Sequence, residues 1–226
     1  ENHGNILFTG EKKNGSTVNL AGISGGANTA IFNSCKNLGS IENKATTSDA
    51  GRTNIGGIIA LDNSGIVGGF VNCVNGDKDD RTKGSLKNSA PSTAEVFIGG
   101  CVGYIVGYNT NISNFTNYGP ISLSKTAICK TTALGGVVGC VRQTTGNSIT
   151  KCKNYGKLSK ESYDSVEMLL YMGGIVGYAE SANLTIGDDT ADGVVNYGAI
   201  ESNSKPKNIF LGGIIGGIYA VTTETI

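Results

Sequence analysis

A six-residue pattern recurs along this chain and limits what it can fold into. It reads Leu134-Gly135-Gly136-Val137-Val138-Gly139. It returns as Ile98-Gly99-Gly100-Cys101-Val102-Gly103, as Met172-Gly173-Gly174-Ile175-Val176-Gly177 and as Leu211-Gly212-Gly213-Ile214-Ile215-Gly216. Ile55-Gly56-Gly57-Ile58-Ile59-Ala60 is a relative with Ala in place of the last Gly. The first glycines fall at 56, 99, 135, 173 and 212, in steps of 43, 36, 38 and 39. A loose period of this size marks a solenoid, propeller or array.

A second signature runs out of phase with the first. Cys35-Lys36-Asn37-Leu38-Gly39 is repeated as Phe115-Thr116-Asn117-Tyr118-Gly119, Cys152-Lys153-Asn154-Tyr155-Gly156 and Val194-Val195-Asn196-Tyr197-Gly198. An apolar residue stands five positions before each Asn: Phe32, Ile112, Ile149 and Ala191. The remaining copy, Cys73-Val74-Asn75-Gly76, is interrupted by Asp77 to Lys83 before Gly84-Ser85-Leu86 matches Gly39-Ser40-Ile41; removing those seven residues brings the step of 43 to 36.

Val, Ile, Thr and Tyr punctuated by Gly and Asn read as short strands, and paired glycines disfavour a helical repeat. The expectation is an all-β, parallel β-solenoid of about five to six coils, roughly 36–39 residues each, with three short strands per coil. One strand would end at the Asn corner, one would follow the next Gly, and one would hold the hexad. The chain is then one elongated domain over 1–226, with 1–31 a degenerate first coil (Asn14-Gly15 and Ile23-Ser24-Gly25-Gly26 echo the signatures) and 217–226 a C-terminal edge. That edge is a thin polar cap, which predicts a parent chain that continues.

In a solenoid equivalent residues stack about 4.8 Å apart. Asn37, Asn75, Asn117, Asn154 and Asn196 are therefore expected to form a side-chain amide ladder. Gly39, Gly119, Gly156 and Gly198 are expected to supply positive φ. Tyr104 and Tyr178 are candidates to lie over the glycine track. Both residues after Gly-Gly are apolar, which a strand's alternation does not allow on one face. The sheet is either buried on both faces or exposes a contact stripe along Ile58, Cys101, Val137, Ile175 and Ile214, part of it covered by Met168 to Tyr171.

Net charge is +0 with no basic stripe, which argues against nucleic acid or an anionic membrane as partner. No apolar run approaches the ~20 residues of a membrane span. His3 is the only histidine and no Cys-x-x-Cys occurs, so zinc sites and Ser-His or Cys-His catalysis are not expected, nor any cofactor. By register, Cys101, Cys140 and Cys152 have no Cys neighbour, and Cys129 has no evident partner. Cys35 and Cys73 share a position in adjacent coils, within disulfide range. Acidic residues gather at 77–80 and 188–192 without the ligand spacing of a known calcium loop. Segments 42–54, 87–97, 122–133, 159–171 and 201–210 differ from coil to coil and stack on one edge, where recognition is expected.

The hexad resembles the GLUG-type repeat of bacterial surface proteins, and the Asn-Tyr-Gly corner is similar to repeats in adhesin-like cell-surface proteins of gut Bacteroidetes. The period is longer than that family's usual repeat, and Ala60 departs from its pattern. The resemblance implies export, surface display and adhesion without catalytic residues. It also gives meaning to Asp164-Ser165-Val166 and Asp189-Thr190-Ala191, which resemble that phylum's O-glycosylation acceptors at Ser165 and Thr190. The expected function is thus a non-catalytic surface protein binding a host or microbial glycan or protein through the stacked variable loops. The alternatives are a β-helical polysaccharide lyase or hydrolase, whose groove would be lined by carboxylates, and a structural stalk.

Overall fold

The computed structural model describes residues 1–13, 15–46, 51–63, 69–91, 94–124, 129–142, 144–161, 168–180, 183–188 and 193–219. These residues form a parallel β-solenoid without helix. Each coil passes through five sheets, here numbered I to V. In the second coil the strands are Lys36–Asn37, Ile41–Asn43, Thr53–Gly56, Ile59–Asp62 and Gly69–Val71. Like stacks on like: Asn37 pairs with Asn75, Ile41 with Leu86, Ile55 with Ile98, Ile59 with Val102 and Phe70 with Ile112. Sheets II, III and IV hold six strands, and sheets I and V hold five.

The three strands anticipated per coil resolve into five because two of them bend. The hexad is a corner and not a strand: Thr131–Gly135 ends on its first Gly, and Val138–Arg142 begins at its fifth residue. At this corner the amides of Val137 and Val138 both donate to the Ile175 carbonyl, at 2.9 and 3.0 Å. Successive amides of a regular strand point to opposite sides. Here they point the same way, so both side chains enter one core. Ile58, Cys101, Val137 and Ile175 are fully buried, and Ile214 packs on the same cluster. The expected contact stripe is therefore interior. The second bend separates sheets V and I at Ser34, Asn72, Asn114 and Lys151, whose φ values of 54°, 55°, 54° and 53° are left-handed.

The core lies in two lobes. One is walled by sheets II and III, with Ile41, Leu86, Ile121 and Leu158 facing Ile55, Ile98, Leu134 and Met172. The other, walled by sheets IV and V, holds Val102, Val138 and Val176 against Phe70, Ile112 and Ile149, with Cys73, Cys101 and Cys152 at the corners. Between the lobes the coil is pinched. The second hexad glycine lies against the ladder Asn on the opposite wall: a Cβ on Gly57, Gly100, Gly136 or Gly174 would come 2.6, 2.9, 2.4 or 2.3 Å from the amide carbon of Asn75, Asn117, Asn154 or Asn196. Outside this waist, sheets III and IV face each other across a notch filled by Phe97, Tyr104, Ala133, Cys140 and Tyr178. Tyr171 also enters the notch and stacks on Tyr178 at 4.3 Å, while Met168 and Leu170 fill the first lobe. Residues 168–171 therefore cover no external stripe.

Three further expectations are corrected. Gly39, Gly119, Gly156 and Gly198 are not among the left-handed glycines. Their Cβ would instead lie 2.0–2.2 Å from the carbonyl oxygen of the equivalent Gly one coil earlier, so close stacking of coils excludes a side chain. The first coil takes its Asn corner from Asn2, while Asn14 lies outside the described residues. It starts at Asn2-His3-Gly4, whose Asn2 bridges to Asn37, and its hexad is Leu20 to Gly25, since Leu20 pairs with Ile55 and Ala21 with Gly56. In the fifth coil Ile186, and not Ala191, pairs with Ile149, because extra residues follow sheet V there. Ala191 lies outside the described residues.

Candidate functional site: the outer face of sheets V and I

The ladder builds this face from behind. Each Asn donates an Nδ2 proton to the Oδ1 of the next: Asn2 to Asn37 at 2.7 Å, then Asn37 to Asn75, Asn75 to Asn117, Asn117 to Asn154 and Asn154 to Asn196, each at 2.8 Å. The second proton goes to a carbonyl two residues on, such as Gly119 at 3.0 Å and Gly156 at 3.0 Å. Asn75 reaches the Gly84 carbonyl at 2.8 Å instead, so the inserted residues leave the ladder without disturbing it. Asn37, Asn75, Asn117 and Asn154 are fully buried, and the side chains that flank the ladder, such as Lys36, Thr116, Tyr118, Lys153 and Tyr155, are partly exposed in register.

Three of those flanking residues are tyrosines. Tyr118 stacks on Tyr155 at 5.2 Å and Tyr155 on Tyr197 at 4.7 Å, with interplanar angles of 18° and 13°. The ring faces are spent on one another, so the edges meet solvent, apart from the end ring Tyr197, which is 61% exposed. Arg81, carried by the inserted loop, lies over Tyr118 at 4.7 Å and Tyr155 at 5.3 Å. Such cation–π contacts hold the guanidinium in place at an exposed site.

Beside the tyrosines the left-handed corner opens a polar groove of about 400 Å³ lined by Asn72, Ser113, Asn114, Lys151 and Lys153. Asn114 donates to Asn72 Oδ1 at 2.7 Å, a second and exposed amide contact. Ser148 donates to Asn111 at 2.9 Å on the same face. Of the acids that border this surface, Asp77 pairs with Lys36 at 3.9 Å and Glu201 with Lys157 at 2.6 Å; Asp188 stands in register with Lys151 one coil on.

The acidic turn 77–80 is built by its own carboxylates: Asp77 accepts from the Asp79 amide at 3.0 Å and Asp80 from the Thr82 amide and hydroxyl. The Asp79 amide, and the Thr82 hydroxyl and amide, hold Asp77 and Asp80 below the usual carboxylate range. Among the described residues no group of His, Cys, Asp and Glu could hold a metal. Asp189 and Asp192 lie outside them, as do Ser165 and Thr190, the glycosylation candidates. Of the variable segments, 42–54, 87–97, 122–133 and 159–171 reach outside the described residues at their tips, while 201–210 is described throughout and exposes Ile209 and Phe210. In the first four, Ala45, Ala90, Cys129 and Met168 are buried, and Lys160, 1% exposed, donates to the Ser124 carbonyl at 2.7 Å.

A charged ladder at the mouth of the notch was missed in the sequence. Arg52 holds Glu95 Oε2 through Nε at 2.9 Å and Nη2 at 2.6 Å, Arg142 holds Glu95 Oε1 at 2.8 Å, and Arg142 also pairs with Glu180. Burial pushes the Glu95 carboxyl up, but Arg142 and then Arg52 outweigh it and hold it below the usual range. Arg52 and Glu95 share one offset before the hexad, and Arg142 and Glu180 share one after it, so reading charge by coil position would have found them. With each acid matched to a guanidinium, this ladder closes the notch and leaves no charge for a ligand. Comparison with known protein families, with curated proteins and with solved structures finds no match.

Proposed function

We propose that this protein is a non-catalytic, exported surface protein that binds a glycan along the outer face of sheets V and I. The observation that carries the reading is the alignment of tyrosine edges, amides, hydroxyls and lysines on one rigid, repeating surface. Such a surface offers many hydrogen bonds and little apolar area, which suits a sugar chain better than a hydrophobic peptide. The resemblance to adhesin-like surface repeats supports export and display. A hydrolase or lyase would set carboxylates in its groove; this groove is lined by amides, a hydroxyl and ammonium groups.

The test is a glycan array followed by titration calorimetry, with reducing-sugar release measured on every polysaccharide bound. The reading expects binding that Tyr155→Ala weakens at least about tenfold, without product release. Catalytic turnover of a bound glycan, or binding indifferent to Tyr155→Ala and Asn114→Ala, would replace it.

A further inference from the structure

We infer that the groove at Lys151 and Lys153 is an anion subsite, so that the glycan bound on this face is an acidic one carrying carboxylate or sulfate groups. This rests on the glycan reading above and adds the charge of the ligand to it. The chain as a whole is neutral, with 18 basic and 18 acidic residues, and its other guanidiniums are matched: Arg52 and Arg142 are held by Glu95 and Glu180. On the outer face Lys36 and Lys157 are likewise paired. Lys151 and Lys153 have no ion pair among the described residues, and both line the groove; Asp188 follows Lys151 in register one coil on, and Asp79 and Asp80 precede Arg81 on its loop. Within the groove lining itself the two ammonium groups meet only amides and a hydroxyl.

The backbone supports the assignment. Asn72, Asn114 and Lys151 occupy the same left-handed corner in three successive coils, at φ 55°, 54° and 53°. This conformation costs a β-strand its continuity but turns each side chain out of the sheet into the groove. Lys153 enters from sheet I, where its register partners are Thr116 and Val195; Lys36 holds the same position in the second coil but is paired with Asp77. Coils follow one another at about 4.8 Å, which presents the ammonium groups, amides and tyrosine edges in series to a linear chain with periodic charges. Pairs between partly exposed charges are individually weak and screened by salt; binding through this subsite must therefore fall with ionic strength.

Binding of the whole protein to polygalacturonate, dextran sulfate, neutral dextran and a duplex DNA is measured at about 50 and 500 mM NaCl. The wild type is compared with Lys151→Gln/Lys153→Gln and, as a control on the sheet II side, Lys44→Gln. The inference expects polygalacturonate or dextran sulfate to bind at least tenfold more tightly than neutral dextran, the preference to shrink at high salt, and the double substitution alone to remove it while circular dichroism stays unchanged. Polygalacturonate binding alone identifies carboxylate as the recognised group, and dextran sulfate binding alone identifies sulfate. Equal, salt-insensitive binding of neutral and acidic glycans overturns the subsite and leaves the glycan reading standing. Tighter binding of DNA, or acidic binding unaffected by the double substitution, also overturns it. Failure of every polysaccharide, neutral ones included, counts against the glycan reading itself.

Discussion

The amide of Asn154 crosses the coil and lies against Gly136, so closely that a Cβ on that glycine would stand 2.4 Å from the amide carbon and 2.1 Å from the Gly174 carbonyl oxygen. The two repeated signatures are thus the two sides of one contact, and together they pinch the solenoid into lobes. Gly136→Ala should destabilise by about 3 kcal/mol or more, since neither backbone nor ladder has room to yield. Gly213 holds the same hexad position in the last coil and meets nothing within 4 Å, so Gly213→Ala should change stability by no more than about 1 kcal/mol. Chemical denaturation of the pair decides it; similar losses would mean that the contact is not what demands glycine.

Asn154→Ala removes one rung and leaves the Asn117 donor and the Asn196 acceptor unmatched. A cost of about 1–3 kcal/mol is expected. Lys157→Ala, whose ion pair with Glu201 is half exposed, should cost no more than about 0.5 kcal/mol. Equal midpoints for the two variants in urea would deny the ladder its structural part.

The repeat, its parallel register and the stacking of Asn on Asn were legible because a solenoid places equivalent residues in contact, so periodic sequence is spatial adjacency. The inserted loop was legible for the same reason: Leu86 pairs with both Ile41 and Ile121 once residues 77–83 are set aside. The corner inside the hexad was not. Two adjacent apolar residues conflict with strand alternation, and only the shared Ile175 carbonyl shows that the backbone bends between them. The role of Gly39 and its counterparts was misread because positive φ and close backbone approach both select glycine. The polar groove escaped notice because its residues, Asn72, Asn114 and Lys151, are chemically unlike; they share a left-handed backbone, which no residue type announces.

All six cysteines are free thiols. In denaturant six should titrate, and an intact mass short by pairs of hydrogens would contradict this. Burial pushes the Cys129 thiol up to about 11, and the Cys152 thiol up to about 12, from the ordinary 9.0. A raised thiol pKa favours the protonated, folded form, so its contribution is complete below pH 9.0 and is lost as pH climbs toward the folded values. Each thiol should lower stability by up to about 1.4 kcal/mol per pH unit across that window. Cys152→Ser should flatten the decline; an unchanged slope would show Cys152 reachable by water.

Glu95 gives the opposite sign. Arg142 and Arg52 overcome its burial and lower its pKa from the ordinary 4.5. Its contribution is therefore present above pH 4.5 and disappears as pH falls through the folded value. Glu95→Gln should melt below the wild type at neutral pH, with the gap closing in acid. A gap that is constant with pH would mean the loss is one of packing and not of charge.

The most direct test is hydrogen exchange of side-chain amides by nitrogen-edited NMR. Asn75, Asn117 and Asn154 should have Nδ2 protons protected far beyond those of Asn114, whose amide bonds Asn72 on the exposed face. Rates for the three buried amides equal to that of Asn114 would contradict the ladder, and with it the pinched coil that sets the tyrosines and lysines in line.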